Sequence, residues 1–409
     1  MKKEFKATFI TKEKKKLKFS FDISINKDET SFEMVDDLKK EDFLNHYLDC
    51  INRSVNPFVI NPKIPNELKR SIYQTATYNL NNKERGHVLC SSGTTSLNSR
   101  PKTYYFPIAR PIENAIAHCE SLDIQNNKNI IFPLPLSHSF GVVIGIWASL
   151  TSNSKTYILD EGSNLNDILD LLSEIDAHLL YLNPSLVRQI NKFAKRFKKK
   201  LNCPEKISIG SSILYYEDVI KIKEVFPSSE IYYTYGLTEM GPRVATFKID
   251  DCKAHKGLIP IGKMLEGIQY KINENQLFIQ SPYACIDFEN QLYATSDEVQ
   301  IIDHNIFIKG RIDDTIIYQG INIYPSEIEL IIKEELPVDE VVLIAKDSKL
   351  HGEVPVLIVK SEISEEDIYS FLKRKIPETH MPKEIHYRND FPKTSMGKIN
   401  RKKLKSSLE

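Results

Sequence analysis

Between about residues 86 and 240, short apolar and β-branched runs alternate with segments whose apolar residues recur at helical spacing. The short runs predict β-strands, and they are HVLCSS, NIIFPLPL, KTYILD, AHLLYLNP, EKISIG and EIYYTYG. The intervening segments predict α-helices, and they are PIENAIAHCESL, NLNDILDLLSEI, SLVRQINKFAKRF and YYEDVIKIKEVF. Because strands alternate with helices, we predict an α/β fold around a mainly parallel sheet that helices cover on both faces.

The hydrophobic pattern changes twice further along the chain. Residues 255–309 carry short strands separated by turns, as in GIQYKINENQLFIQS, which indicates a small antiparallel appendage. After GRIDD, the helical segments YPSEIELIIKEEL and SEEDIYSFLKRKI flank the strand-like runs DEVVLIAKD and EVPVLIVKS. We therefore predict a large N-terminal domain at residues 1–309 and a small α+β C-terminal domain at residues 310–409.

Composition narrows the function classes mainly by exclusion. The 409 residues contain 55 basic and 55 acidic side chains, so no net field favours nucleic acid or a membrane surface as a partner. The six cysteines show no C-x-x-C pairing, which argues against a zinc knuckle and for a reducing compartment. The longest apolar run, FGVVIGIWASL, is well short of the ~20 residues of a membrane span. With no secretory signal pattern at the charged N-terminus, we expect a cytoplasmic protein.

Five polar segments carry candidate chemistry, and each alone has an ordinary structural interpretation. The loop SSGTTSLNSRPK suits a phosphate, although it lacks the second glycine of a Walker loop and could be a simple serine-rich loop. TYGLTEMG could be a strand entering a turn, and LYATSDEVQI contributes a carboxylate. GRIDDTIIYQGINIYPSEIE could be a charged hinge and PKTSMGKINRKKL an exposed basic tail. Because the first two segments follow predicted strands, we expect them to meet at one site.

In this order and spacing, the five segments resemble the adenylate-forming superfamily from about Cys90 to Leu404. That superfamily includes acyl- and aryl-CoA synthetases, nonribosomal-peptide adenylation domains and luciferases. The resemblance implies ATP and Mg²⁺ as cofactors, and attack of a carboxylate on the α-phosphate to give an acyl-adenylate and pyrophosphate. In most members a thiol then displaces AMP, so the implied acceptor is CoA or the phosphopantetheine of a carrier protein.

The resemblance implies that the serine-rich loop cradles the β- and γ-phosphates of ATP through backbone N–H groups and hydroxyls. The implied phosphate contacts are Ser91, Ser92, Gly93, Thr94, Thr95 and Lys102. Thr94 is also an expected metal ligand. The loop departs from the family pattern, because Ser96 replaces a glycine, Asn98-Ser99-Arg100 lengthen the loop, and Thr103 replaces the final glycine. Either Arg100 or Lys102 could supply the cation.

The resemblance also assigns nucleotide contacts around TYGLTE. Tyr235 would stack on adenine, Thr238 would hydrogen-bond the α-phosphate, and Glu239 would hold Mg²⁺. Asp297, preceded by Ser296 where the family has glycine, would accept hydrogen bonds from the ribose hydroxyls. The other implied nucleotide contacts are Gly210, Ser211, Ser212, Thr234, Gly236 and Arg311. Of these, Gly210, Ser211 and Ser212 match the family's adenine-binding turn only loosely.

The C-terminal segments imply a moving domain. By resemblance, Lys398 swings into the site and acts with Thr238 and Glu239, a role that suits a mobile ammonium. The small domain would rotate about Asp313 between the two steps and present Gly320 to a pantetheine tunnel. A plain turn glycine is the other interpretation of Gly320.

The segment PLPLSHSFG bears on the identity of the acid. Amino-acid-activating members carry a Phe-Asp pair there, whereas this chain has His138 and Phe140, as acyl- and aryl-acid ligases do. The expected pocket residues are His138, Phe140, Gly236 and Gly241, and the expected small carboxylic acid is an aryl or fatty acid without an α-amino group. Two alternatives stay open: His138 could be a core histidine, and residues 142–150 could line the pocket or form a buried helix.

The first ~85 residues are shorter than the corresponding portion of typical members, and its β-rich part is largely missing from the sequence pattern. Such a shortening could open the thiol tunnel to a carrier protein, beside free CoA. Two other functions stay open, namely an adenylate-forming enzyme with an amine or oxygen acceptor, and a non-catalytic nucleotide-binding relative. The presence of Glu239, Asp297, Arg311 and Lys398 argues against a non-catalytic relative.

Overall fold

The computed structural model describes most of the chain. The described residues are 3–11, 13–23, 31–78, 80, 85–90, 101–159, 165–197, 200–249, 257–318, 321–348, 352–394 and 397–408. The predicted phosphate loop from Ser91 to Arg100 and the predicted tunnel residue Gly320 lie outside them.

Strands and helices alternate through the first two thirds of the described chain. The strands are β1 Lys3–Ile10, β2 Lys16–Ile23, β3 Phe32–Val35, β4 Asn56–Val59, β5 Gly86–Cys90, β6 Thr103–Pro107, β7 Asn129–Phe132, β8 Lys155–Ile158, β9 Leu179–Leu182, β10 Lys206–Gly210, β11 Glu230–Gly236, β12 Arg243–Ile249, β13 Lys263–Met264, β14 Gln269–Asn273, β15 Gln276–Gln280, β16 Tyr293–Ile302, β17 Asn305–Arg311, β18 Ile316–Tyr318, β19 Ile321–Ile323, β20 Glu340–Ser348, β21 Gly352–Lys360 and β22 Glu384–Tyr387. The α-helices are α1 Lys40–Asn52, α2 Asn66–Tyr78, α3 Ala109–Ser121, α4 Ala148–Thr151, α5 Leu165–Glu174, α6 Pro184–Phe193, α7 Tyr216–Val225, α8 Pro325–Glu335, α9 Glu365–Lys373 and α10 Arg401–Lys405.

A nine-stranded sheet in the order β13-β12-β11-β10-β9-β7-β8-β1-β2 forms the centre of the N-terminal domain. Its middle strands, from β1 to β11, are parallel, and antiparallel pairs close both edges. The predicted α/β fold with a mainly parallel sheet is therefore confirmed. The strands are apolar on both faces because helices cover both, as in β9, where all four residues are buried.

One strand of the predicted series lies elsewhere. Strand β5, which leads into the predicted phosphate loop, belongs to a second sheet in the order β3-β4-β5-β6. The expectation that this loop and TYGLTE follow strands of a single sheet is thus wrong. The hairpin of β5 and β6, in which Cys90 pairs with Thr103, nevertheless fixes both ends of the loop.

The N-terminal segment contributes strands that the sequence pattern missed. Strand β1 pairs parallel with β8 and antiparallel with β2, which extends the large sheet. Phe5, Ala7 and Phe9 alternate along β1 and are all buried, as expected for residues that share one face of a strand. The β-rich portion expected to be missing is therefore present in a short form.

The apolar run at residues 141–150 is a buried helix. It forms a π-helix at Gly141–Trp147 that continues into α4, and every one of its residues is buried. Trp147 packs edge-on against Phe5, and its indole N–H donates to the Tyr47 hydroxyl at 2.9 Å. Of the two interpretations of this run, the structure supports the buried helix. No helix among the described residues is long and apolar enough to cross a membrane.

Two smaller sheets complete the fold. The antiparallel sheet β14-β15-β16-β17 is the predicted appendage, and its last strand ends at Arg311. The C-terminal domain contains the sheet β19-β18-β21-β20, with β22 paired to β21, and its core packs against α8 and α9. The domain boundary at residues 309 and 310 stays a prediction.

Replacing Phe9 with alanine tests whether β1 is an integral part of the large sheet. Phe9 is fully buried, so Phe9→Ala should lower the free energy of unfolding of the N-terminal domain by about 3–5 kcal/mol in urea titrations. The exposed Lys18 on β2 provides the control, since Lys18→Ala should change it by no more than about 0.5 kcal/mol. Equal, small effects of both substitutions would contradict the placement of β1.

Candidate active site

A deep cleft of about 1450 Å³ lies between the two domains, at the carboxyl ends of β10 and β11. Ligands of α/β sheets bind at this edge because side chains from neighbouring strand ends converge there. The predicted site residues that line the cleft are Lys102, His138, Phe140, Ser211, Ser212, Thr234, Tyr235, Gly236, Thr238, Glu239, Asp297, Arg311, Asp313 and Lys398. Of the described predicted residues, Gly210 and Gly241 do not line it.

Glu239 follows β11 in a short turn, Thr238–Met240. Its Oε1 accepts a hydrogen bond from the Tyr104 hydroxyl at 2.8 Å and a longer one from the Tyr293 hydroxyl at 3.5 Å. Burial, reinforced by the charge of Glu239, raises the pKa of Tyr293 to about 12, so this hydroxyl keeps its proton. Both bonds go to Oε1, so Oε2 has no hydrogen-bond partner among the residues that the structure describes. A carboxylate oxygen of this kind is a ligand that Mg²⁺ prefers.

The turn around Glu239 depends on two close approaches. A Cβ on Gly236 would lie 1.8 Å from the Pro242 carbonyl oxygen, so only glycine fits there. Thr238 Oγ1 lies 2.9 Å from Ser139 Oγ, which ties the turn to the segment that contains His138 and Phe140. Gly241 has a left-handed φ of 139° and packs against Tyr283, so its position indicates a backbone role rather than contact with the acid.

Asp297 and Arg311 lie opposite each other on the paired strands β16 and β17. Asp297 is buried and accepts a hydrogen bond from the Tyr235 hydroxyl at 2.5 Å, while Arg311 Nη1 lies 3.7 Å from its other oxygen. Burial raises the pKa of Asp297, and the charge of Arg311 opposes that shift. Ser296 has a left-handed φ of 58°, which explains why the resembling motif has glycine at this position.

The predicted adenine-binding turn follows β10. A Cβ on Gly210 would lie 2.5 Å from Thr234 Oγ1, so glycine allows β10 and β11 to approach closely. Ser211 has a left-handed φ of 87°, and its buried hydroxyl has no hydrogen-bond partner among the described residues. A strained residue with an unsatisfied hydroxyl at the cleft wall fits a polar ligand such as a purine.

Lys398 reaches the cleft from the C-terminal domain. The preceding Gly397 has a left-handed φ of 74°, and a Cβ there would lie 3.1 Å from the Ser185 side chain at the start of α6. Lys398 is partly exposed to the cleft, yet the surrounding protein desolvates its ammonium and lowers its pKa to about 8. The positive charge of Arg311 adds to this shift, and the carboxylate of Asp297 opposes it.

His138 is a neutral side chain at the wall of the cleft. Burial lowers its pKa to about 3, and the positive charge of Lys398 contributes to the shift. The Phe140 backbone N–H donates to its Nδ1 at 3.2 Å, so the neutral ring carries its hydrogen on Nε2. This placement favours a site residue over a core histidine.

The lysine loop is anchored within its own domain by Arg401. Arg401 donates to the Glu329 carboxylate and to the Leu343 carbonyl, both at 2.8 Å, and Glu329 is buried. Its Nε also lies 3.7 Å from a carboxylate oxygen of Asp314. Asp313, the predicted hinge residue, forms an ion pair with Arg311 at 3.4 Å.

Sequence reasoning missed several residues of the site. Tyr104, Tyr293 and Ser139 orient the predicted residues, and Arg243 is a buried cation at the cleft wall. Tyr104 and Tyr293 gave no signal because their partner, Glu239, is distant in sequence. The sequence did give a signal for Arg243, since a charged residue at the start of the largely apolar strand RVATFKI is unusual.

Comparison with known families and proteins agrees with this architecture. The family model of the AMP-binding enzyme matches residues 72–280, just over half of the chain, and that of the AMP-binding enzyme C-terminal domain matches residues 327–398. This chain therefore belongs to the AMP-binding enzyme family, which confirms the predicted membership of the adenylate-forming superfamily.

Curated relatives include several CoA ligases. A 2-succinylbenzoate–CoA ligase of Lactococcus lactis is 28% identical over 298 residues, which cover 70% of this chain and 64% of that relative. This chain thus spans less than two thirds of that relative's length. A 4-coumarate–CoA ligase of Pinus taeda is 25% identical, with 78% of this chain and 64% of the relative covered.

Solved structures share the fold at lower identity. ATP-bound MatB from Rhodopseudomonas palustris aligns with a TM-score of 0.79 at 15% identity, covering 98% of this chain and 95% of MatB. The o-succinylbenzoate CoA synthetase MenE from Bacillus subtilis, in complex with the acyl-adenylate intermediate OSB-AMP, aligns with a TM-score of 0.74 at 16% identity. That alignment covers 92% of this chain and 88% of MenE.

The hydrogen bond between Tyr104 and Glu239 gives a direct test of the candidate metal ligand. Tyr104→Phe should raise the Mg²⁺ concentration needed for half-maximal ATP-dependent activity and lower kcat/KM about 10-fold, because Glu239 loses a donor that orients it. Tyr73→Phe is the matched control, since the Tyr73 hydroxyl bonds the Phe32 carbonyl and does not line the cleft. An unchanged Mg²⁺ dependence for Tyr104→Phe would remove Glu239 as a ligand.

Proposed function

We propose that this protein activates a carboxylic acid with ATP as an acyl-adenylate and then transfers the acyl group to a pantetheine thiol. One observation carries the proposal: Lys398 of the C-terminal domain lines the same cleft as Glu239 and Asp297 of the N-terminal domain. A movable cation, a candidate Mg²⁺ ligand and a candidate ribose-binding carboxylate are the groups that adenylation of a carboxylate requires. Homologues with CoA ligase names support the thiol as acceptor.

In the first step, a carboxylate oxygen of the acid attacks the α-phosphorus of ATP and pyrophosphate leaves. Asp297 binds the ribose hydroxyls, and Thr238 donates to the α-phosphate from the turn that Ser139 holds. Lys398 places positive charge beside the pentacoordinate phosphorus, where negative charge accumulates. Glu239 would hold Mg²⁺, which when bound neutralises phosphate charge.

In the second step, a thiolate attacks the acyl carbon and AMP leaves, which forms a thioester. The shift of the C-terminal domain between the steps removes Lys398 and admits the thiol. Asp313 lies between the two domains' sheets, where a change of backbone angles would rotate one domain against the other. The acid is an aryl or aliphatic acid, because the segment with His138 and Phe140 offers no carboxylate to an α-ammonium group.

Identification of the product tests the proposal. The protein is incubated with ATP, Mg²⁺ and a panel of aryl, fatty and amino acids, and pyrophosphate release is measured before and after addition of CoA, phosphopantetheinylated carrier protein or an amine. Acid-dependent release and a thioester product are expected. Release without thioester but with an amide would identify an amine acceptor, and no acid-dependent release would refute adenylation.

Replacing Lys398 separates the two half-reactions. Lys398→Ala should lower the rate of acyl-adenylate formation about 100-fold or more, because the proposed transition state loses the ammonium placed beside its phosphorus. Thioester formation from a supplied acyl-adenylate should change little, since Lys398 leaves the site before this step. Lys403→Ala, in the same exposed tail, is the control. Equal losses in both half-reactions would contradict the assigned role.

The lowered pKa of Lys398 predicts the alkaline limb of the pH profile. Its ammonium is charged below about pH 8 and loses its proton as the pH rises through that value. Therefore kcat/KM for adenylation, which reports the free enzyme, should fall above pH 8. Lys398→Arg keeps its charge at every accessible pH, so its residual activity should lack this limb. The same limb in both proteins would assign it to another group.

A further inference from the structure

A buried arginine lies at the wall of the cleft and has no role in the steps above. Arg243 opens strand β12, is 3% exposed and lines the cleft. Arginine side chains are almost never buried to this degree without an anionic partner, because removal of the charge from water is costly. The surroundings of this side chain therefore indicate what it binds.

The guanidinium is held in a fixed position. The backbone of Arg243 forms two hydrogen bonds with the Asn114 side chain, each of 2.9 Å, and its Nη1 donates to Thr234 Oγ1 at 2.5 Å. The guanidinium carbon lies 4.5 Å from the centre of the Phe140 ring. A Cβ on Gly210 would lie 2.9 Å from Nη1, so the glycine makes room for the charged group.

No carboxylate among the described residues compensates the charge. The side chain forms no ion pair there, and its buried Nε has no hydrogen-bond partner. The titratable groups around the guanidinium supply no negative charge, because burial lowers the pKa of His138 to about 3 and raises those of Tyr181 and Tyr233 above their ordinary values. Among the residues that the structure describes, the only charged group around it is the Lys398 ammonium, whose pKa the guanidinium charge lowers. Contact with the face of Phe140 offsets only part of the desolvation cost.

The position of the Arg243 side chain favours a partner other than the reacting carboxylate. That carboxylate must meet the α-phosphate beside Thr238 and Lys398. Arg243 pairs with Gly236 at the end of β11, but its Nη1 reaches back along the strand to Thr234, two residues before that end. It also contacts Phe140, in the segment expected to bound the acid. A group at the far end of the acid is therefore its natural partner.

We infer that the acid activated by this protein is a dicarboxylic acid, whose second carboxylate pairs with Arg243 while the first attacks ATP. This inference rests on the proposed function, and it adds the substrate class. The buried guanidinium gains its missing anion, and the acid gains a fixed orientation that directs one carboxylate to the phosphate. Arg243 is then the residue that determines specificity.

Matched pairs of acids test the inference. Acid-dependent pyrophosphate release is measured with hexanoate against adipate and with benzoate against phthalate, isophthalate and terephthalate, for the wild type and for Arg243→Met. The wild type should have the higher kcat/KM for at least one dicarboxylic acid of these pairs. In Arg243→Met, kcat/KM should fall about 100-fold more for that acid than for its monocarboxylic partner.

Two further variants control for charge and folding. Arg243→Lys keeps a charge without the planar fork and should recover part of the preference. Lys248→Met removes a cation from the same strand, where the Lys248 ammonium pairs with the exposed Glu230, and should leave the ratio unchanged. Binding of ATP to each variant, measured by calorimetry, confirms that the nucleotide site has folded.

The outcomes separate the inference from the proposed function. Efficient activation of monocarboxylic acids by the wild type, with no gain from a second carboxylate, would overturn the inference and leave the proposed function intact. Equal losses for both members of a pair in an ATP-binding Arg243→Met protein would make Arg243 a structural residue and also overturn it. No pyrophosphate release with any acid would end both.

Discussion

The contact between Gly397 and the start of α6 is the interaction on which the candidate site depends. It brings the segment before Lys398, which belongs to the C-terminal domain, close to the N-terminal domain that holds Glu239 and Asp297. Helix α6 begins at Pro184 after Asn183, whose side chain caps the Leu186 N–H at 2.8 Å. The left-handed glycine lets the segment before Lys398 lie close to this capped turn, and the ion pair between Lys192 and Asp339 joins the same two domains.

The charged side chains of the cleft differ in whether they have a partner of opposite charge. Asp297, Arg311 and Lys398 form a mixed group in which each charge shifts the pKa of the next, whereas tyrosine hydroxyls hold Glu239 from one side. Arg243 also lowers the pKa of Lys398, but it differs from this group because it forms no ion pair with an acidic side chain of the described chain. Burial thus has two consequences in one cleft: it shifts the pKa values of Asp297 and Lys398, and it leaves Arg243 without an anionic partner among the described residues.

Periodicity predicted the fold well because strands buried on both faces and amphipathic helices have distinct patterns. The same reasoning failed for β1 and β2, whose alternating residues are interrupted by lysines, and it placed β5 in the wrong sheet because sheet membership depends on distant pairing. Most of the described residues that the family resemblance named line the cleft, but their roles stay predictions. It could not find Arg243 or Tyr104, because their importance arises from contacts made across the fold.

Covalent trapping of the Gly397 contact tests the central claim most directly. The double variant Ser185→Cys and Gly397→Cys is oxidised to lock the lysine loop on α6, and each half-reaction is then measured before and after reduction. The locked protein should release pyrophosphate from ATP in an acid-dependent manner, yet fail to form thioester until the disulfide is reduced. A locked protein that cannot form acyl-adenylate, although it still binds ATP, would contradict the account.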